Sequence, residues 1–139
     1  MLFRSAPPLP PATTATTHTV LYIEDQDLNL RLVERILHPH PRYRLLTAML
    51  GHQGLELART QHPRLILLDL NLPDMSGEEV LVRLKNDPLT RDIPVVMVSA
   101  DATNGRAQEL LAQGAWGYVS KPYKVAELFR VIEEAVAGG

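Results

Sequence analysis

Five short apolar runs alternate with longer amphipathic stretches along this chain. The runs fall at residues 20–23, 43–48, 65–68, 95–98 and 116–119. The second is the weakest. The first, third and fourth are apolar on both faces, the pattern of inner strands in a parallel sheet covered by helices. The stretches between them carry helix marks. Leu30, Val33, Ile36 and Leu37 share one helical face between residue 27 and about residue 38. A short second helix is predicted from Gly54 to about Gln61. Ser76 with Glu79 three residues on is a capping box that opens a third, with Val80, Leu81 and Leu84 turned inward. Leu110, Leu111 and a terminating Gly114 mark a fourth. Val125, Leu128, Phe129, Ile132 and Val136 follow the apolar spacing of a fifth. The order is therefore βαβαβαβαβα. Parallel strands need crossover connections, and these are right-handed, so the helices cover both faces of a doubly wound α/β sheet.

Residues 1–18, rich in Pro, Thr and Ala, cannot build a core and are expected to form an extended tail or linker. Residues 19–139 form the domain, and no internal repeat interrupts it. The chain contains no cysteine, which excludes a disulfide framework, thiol catalysis and Cys-based zinc sites. A formal net charge of −2, without a basic stripe, gives no general attraction to nucleic acid or anionic membrane. The apolar runs are far shorter than a bilayer span, and Pro7, Pro8, Pro10 and Pro11 break up any signal-peptide core. A soluble, cytoplasmic protein without membrane insertion is expected.

In doubly wound sheets, ligands bind beyond the carboxyl ends of the strands, near the point where strand order reverses. Glu24 and Asp25 follow the first run, and Asp69 ends the third. Ser99 follows the fourth; Ser120, Lys121 and Pro122 follow the fifth. Three carboxylates on one rim repel unless a cation relieves them. A hard cation such as Mg²⁺ takes one or two carboxylates together with water or phosphate oxygens. The Lys121 ammonium could hold a phosphoryl oxygen, Ser99 could donate to another, and a remaining carboxylate could act as nucleophile. Taken singly, each residue has a plainer use as a cap, a turn or a solvated acid.

As a set, these residues resemble the receiver domain of bacterial two-component response regulators. The resemblance runs from about Thr19 to Val136. It is carried by Leu21-Tyr22-Ile23-Glu24-Asp25, by Leu67-Leu68-Asp69-Leu70-Asn71-Leu72-Pro73-Asp74-Met75-Ser76-Gly77, by Val98-Ser99-Ala100, and by Gly117-Tyr118-Val119-Ser120-Lys121-Pro122. It implies a flavodoxin-like receiver fold, a five-stranded parallel sheet in the order 2-1-3-4-5. Asp69 matches the phosphorylated aspartate, and Glu24 and Asp25 match the acidic pair that holds Mg²⁺. Asn71 matches the position whose backbone carbonyl is a metal ligand, and Lys121 the lysine on the phosphoryl group. Ser99 matches the switch hydroxyl and Tyr118 the switch aromatic. Pro73 and Gly77 match the shaped loop after the acceptor, and Lys121-Pro122 a peptide bond that is usually cis. Two departures are mild: Glu24 stands for a frequent Asp, with a longer arm, and Ser99 for the commoner Thr.

The implied function is acceptance of a phosphoryl group from a histidine kinase or a histidine phosphotransfer protein. A conformational change read by a downstream protein would follow. The face of the fourth helix, fifth strand and fifth helix would be read by that partner or would pair two copies. Self-phosphorylation and slow dephosphorylation are the only catalysis implied. Asn71 and Asp101, each two residues beyond a site residue, border the site and could tune phosphate lifetime. Two alternatives stay open: a receiver-like docking module without phosphorylation, and an aspartate-nucleophile phosphatase. The latter would want Asp where Asn71 stands. No P-loop and no dinucleotide-binding glycine pattern is present. His18 is expected in the tail, and all five histidines at the surface. The chain reads as a single-domain regulator, a phosphorelay shuttle or a receiver from a hybrid sensor kinase, the Pro-rich start favouring the last.

Overall fold

The computed structural model describes residues 17–100 and 104–138. Residues 1–16, which hold most of the expected tail, and Asp101, expected beside the site, lie outside the described residues. Five parallel strands form one sheet: β1 (His18–Ile23), β2 (Tyr43–Ala48), β3 (Leu65–Leu68), β4 (Val95–Ser99) and β5 (Gly117–Ser120). Their spatial order is β2-β1-β3-β4-β5, as expected. The helices between and after them are α1 (Asp27–Leu37), α2 (Gly51–Gln61), α3 (Gly77–Asn86), α4 (Asn104–Ala112) and α5 (Val125–Gly138). His18 is not tail; it opens β1, opposite Tyr43 of β2.

Strand periodicity divides the core. Alternate side chains point to opposite sheet faces. Leu21, Ile23, Ile66, Leu68, Val95 and Met97 meet Ala58 of α2, Val80, Leu81 and Leu84 of α3, and Leu110 of α4. Val20, Tyr22, Leu65, Leu67, Val96 and Val98 meet Val33, Ile36 and Leu37 of α1 and Leu128, Ile132, Ala135 and Val136 of α5. Each fully buried aliphatic side chain contributes roughly 1.5–3 kcal/mol relative to exposure. Two helical marks turn out to be solvent-facing: Val125, the first residue of α5, is 53% exposed, and Leu111 is 45% exposed. Val125 precedes the point where α5 meets the sheet; the Leu110 side chain alone of the adjacent pair reaches the core.

α2 begins at Gly51, three residues before the predicted Gly54. The reason is a remote cap. The Asp74 carboxylate accepts hydrogen bonds from the Gly51 amide (2.7 Å) and the His52 amide (3.0 Å), satisfying two of the free donors at the helix start. It also meets His52 Nδ1 at 2.7 Å. These amides hold the Asp74 carboxyl well below the usual carboxylate range. At α3 the Ser76 hydroxyl accepts from the Glu79 amide (3.1 Å), while the Glu79 carboxylate turns to Arg83 (2.6 Å).

The loop between β3 and α3 is closed by a bridge between Asn71 and Ser76 and by a 2.7 Å bond from the Gly77 amide to the Leu70 carbonyl. That closure requires glycine. A Cβ on Gly77 would lie 2.1 Å from the Asp69 carbonyl oxygen and 2.8 Å from Leu70 Cα, and backbone cannot yield as a side chain does. Gly77→Ala is expected to cost about 1–3 kcal/mol of stability. Urea titration of both proteins checks this.

Candidate functional site

The carboxyl edge of the sheet is anchored strand to strand. The Glu24 amide donates to the Ala48 carbonyl (2.8 Å), the Asp69 amide to Ile23 (3.1 Å), and the Lys121 amide to Ser99 (2.8 Å). Strand order reverses between β1 and β3, so Glu24, Asp25 and Asp69 meet where their two strand ends lie side by side. Lys121 directly follows β5, and the Lys121-Pro122 bond after it is cis. A cavity of about 340 Å³ opens there, lined by Asp25, Gln26, Asn29, Asp69, Asn71, Ala100 and Lys121.

One oxygen each of Glu24, Asp25 and Asp69 lies within 4.8 Å of the others. Glu24 and Asp69 are buried, and Asp25 is half-buried. Lys121 Nζ bridges the two buried acids, 2.6 Å from Glu24 Oε1 and 3.3 Å from Asp69 Oδ1. The donor set consists of hard oxygens only, with room beside it, which suits Mg²⁺ rather than a softer metal.

The electrostatics are strained in a defined direction. Burial, and then the charge of Glu24, push the Asp69 carboxyl above its ordinary value; Lys121 and the Asn71 amide offset only part of this. Burial alone would lower the Lys121 ammonium, but its bond to Glu24 and the charge of Asp69 hold it above its ordinary value. An acid whose pKa is raised by folding binds its proton more tightly folded than unfolded. Its contribution is therefore favourable below the unfolded value of about 3.9 and is lost as pH rises through the folded value. Hence, without metal, Asp69→Asn is expected to melt several degrees higher than wild type at pH 7. The gain should fade as pH falls toward 4. Thermal melts in EDTA across that range test it; a pH-independent difference would contradict this account.

The expected site residues separate into three groups. Glu24, Asp25, Asp69 and Lys121 are brought together, with Asn71 in the cavity wall, its amide 3.4 Å from Asp69 Oδ2. Ser99 is fully buried at the end of β4, and its neighbour Ala100 lines the cavity in its place. Tyr118 stands further off on β5, half-buried against the core layer that contains Met97. Of the histidines, His52 lies at this end of the sheet, exposed and held by Asp74; His40 stacks on Phe129 with ring centroids 4.2 Å apart, and His62 ends α2 in the left-handed region at φ 46°.

Two participants were not singled out in the sequence. Tyr22 is fully buried, and its hydroxyl donates to Glu24 Oε1 at 3.2 Å. Asn29 Nδ2 donates to the same oxygen at 3.1 Å, while the Gln26 amide reaches Glu24 Oε2 at 3.3 Å. Tyr22 is one of the apolar alternation in β1, and Asn29 lies on the polar side of α1. Their only local signal is proximity to Glu24 in the chain.

Known proteins share this sequence pattern and fold. Residues 20–133 match the family described as response regulator receiver domain. The chain is 37% identical over 117 residues to the polar-differentiation response regulator DivK of Brucella ovis, covering 84% of this chain and 94% of that one. Among solved structures, the signal receiver domain of a LuxO repressor protein from Vibrio parahaemolyticus superposes with a TM-score of 0.81 at 27% identity, covering 88% of this chain and 92% of that one. The receiver domain of a sensor histidine kinase from Pseudomonas aeruginosa PAO1 superposes with a TM-score of 0.78 at 27% identity, covering 87% and 98%. That structure has a magnesium ion coordinated in its active-site cleft. Among the described residues, no helix is long and apolar enough to cross a membrane.

Proposed function

This chain belongs to the response regulator receiver family of two-component signalling, and from that premise we propose that it accepts a phosphoryl group on Asp69 and changes shape to signal to a partner protein. One observation carries the reading. The Asp69 carboxylate lies 3.3 Å from Lys121 Nζ, within reach of two further carboxylates, at the wall of a cavity of about 340 Å³.

An Asp69 oxygen attacks the phosphorus of a phosphohistidine in line. The new O–P bond forms as the P–N bond breaks, and the imidazole leaves with the bonding pair and takes up a proton. Lys121 turns its ammonium to an equatorial phosphoryl oxygen, so that positioning and fixed charge do most of the work. Glu24, Asp25, Asp69 and the Asn71 carbonyl would hold Mg²⁺, which when bound neutralises phosphoryl charge. The Ser99 hydroxyl then moves toward the phosphoryl group, and the Tyr118 ring turns into the space it leaves. A partner that binds the two states unequally reads the change on the face of α4, β5 and α5, where two copies of the chain could also pair. The donor is a histidine kinase or a phosphotransfer protein, an exchange we assign to the cytoplasm.

The test is intact-mass spectrometry after incubation with acetyl phosphate and Mg²⁺. One added phosphoryl group, absent with EDTA, is the expected result. No addition from acetyl phosphate or from a phosphohistidine donor would overturn the reading in favour of a docking module.

A further inference from the structure

Glu24 Oε1 is crowded. It accepts from Lys121 Nζ at 2.6 Å, Asn29 Nδ2 at 3.1 Å and Tyr22 Oη at 3.2 Å. A carboxylate offers about four acceptor sites over its two oxygens, so three donors on one oxygen are one more than it needs. Oε2 has the Gln26 amide at 3.3 Å and retains capacity for a cation or its water.

The three donors differ in freedom. Tyr22 is locked: its ring is fully buried between β1 and the layer of α1 and α5. Asn29 sits in the first turn of α1. Lys121 alone has a flexible four-carbon stem, and it is already shared with Asp69. If Lys121 were the only strong donor, its departure would leave a fully buried carboxylate with a single long contact, which is costly.

We propose that Tyr22 and Asn29 are positioning residues that hold Glu24 when Lys121 leaves it, and so release Lys121 for an incoming phosphoryl oxygen. This rests on the phosphoryl-acceptor reading of Asp69. Tyr22 suits the role chemically. Its phenol offers one O–H donor, and the buried ring aims it at Glu24 Oε1 from 3.2 Å. Without these two donors, Glu24 competes harder for the ammonium, and Lys121 is retained in the resting position.

The experiment follows Lys121 itself. The side-chain ¹⁵Nζ signal is recorded in wild type, Tyr22→Phe, Asn29→Ala and the double variant. Each is titrated with beryllofluoride, a phosphoryl mimic, at saturating Mg²⁺. Tyr22→Phe keeps the buried ring, so packing is preserved, and melting curves confirm folding. In wild type the signal should shift as beryllofluoride binds. The double variant should need about tenfold more beryllofluoride for half-saturation, with the singles between, as loss of donors to a charged group predicts. A purely structural role would lower the melting temperature and leave the half-saturation point unchanged, which would overturn the inference alone. A wild type whose Lys121 signal ignores beryllofluoride would overturn the phosphoryl-acceptor reading and this inference with it.

Discussion

Asp69→Asn is expected to abolish phosphoryl acceptance, with an apparent rate at least about a thousandfold below wild type. The substitution keeps the shape of the side chain but replaces an anionic oxygen nucleophile with an amide. Among the described residues, nothing nearby substitutes cleanly. Glu24 is fully buried, and its Oε1 is occupied by three donors. Among the described residues, Asp25 is the only other carboxylate in the cavity wall. The measurement is intact mass over time in acetyl phosphate and Mg²⁺, followed by peptide mapping of any product. Stoichiometric labelling of Asp69→Asn would sink the assignment, and a trace confined to Asp25 would reveal a slow substitute acceptor. The variant is also expected to be the more heat-stable protein at neutral pH without metal, because the charge it removes is held where burial and Glu24 oppose it. Lost chemistry with gained stability would separate a functional carboxylate from a structural one.

The parts of the fold that were legible were those buried on both sides. β1, β3 and β4 place Val20 to Ile23, Leu65 to Leu68 and Val95 to Val98 wholly out of solvent, so their sequence is unbroken apolar text. β2 is an edge strand with Arg44 and Thr47 exposed, and the weaker signal reflects that position. The start of α2 was not legible because the cap of Gly51, Asp74, arrives from 23 residues further along the chain. The acidic cluster was legible for a different reason. Topology dictates where strand ends meet, so Glu24, Asp25, Asp69 and Lys121 could be brought to one edge before any coordinate was known. What that logic does not supply is side-chain direction. Tyr22 reads as one more core residue, and only the folded sheet reveals that its hydroxyl ends on Glu24. Ser99 reads as a rim residue but is sealed under the edge.

Lys121→Met should slow phosphorylation by about 10²–10³-fold, the usual loss when one fixed charge-stabilising donor is removed from a reaction site. Methionine keeps much of the apolar stem, so the change isolates the ammonium. A second effect should appear before any phosphodonor is added. The ammonium is the positive group bridging Glu24 and Asp69. Without it, two buried carboxylates share a site, and Glu24 keeps only Tyr22, Asn29 and the Gln26 amide. Breaking a fully buried pair costs about 3–5 kcal/mol, but 17% of the lysine side chain is exposed, and solvent screening reduces the expected loss to about 1–2 kcal/mol. The pH dependence has a definite sign. The folded pKa of Lys121 is raised, so its contribution is complete below the unfolded value of about 10.4 and is lost only as pH rises through the folded value. Wild type therefore has the full benefit at pH 7, where the deficit of the variant is plain. Acidification toward pH 4 protonates Asp69, whose carboxyl burial and Glu24 hold above its ordinary value, and should narrow the gap. Mg²⁺ should narrow it too, raising the melting temperature of the variant more than that of wild type, because a cation supplies the missing charge. Stopped-flow labelling and paired melts with and without Mg²⁺ measure both effects. A variant phosphorylated at the wild-type rate would place Lys121 outside the chemistry, as a structural counter-ion only. A slow variant with unchanged metal-free stability would mean that the bridge to Glu24 is energetically neutral and that the lysine is kept for the phosphoryl group alone.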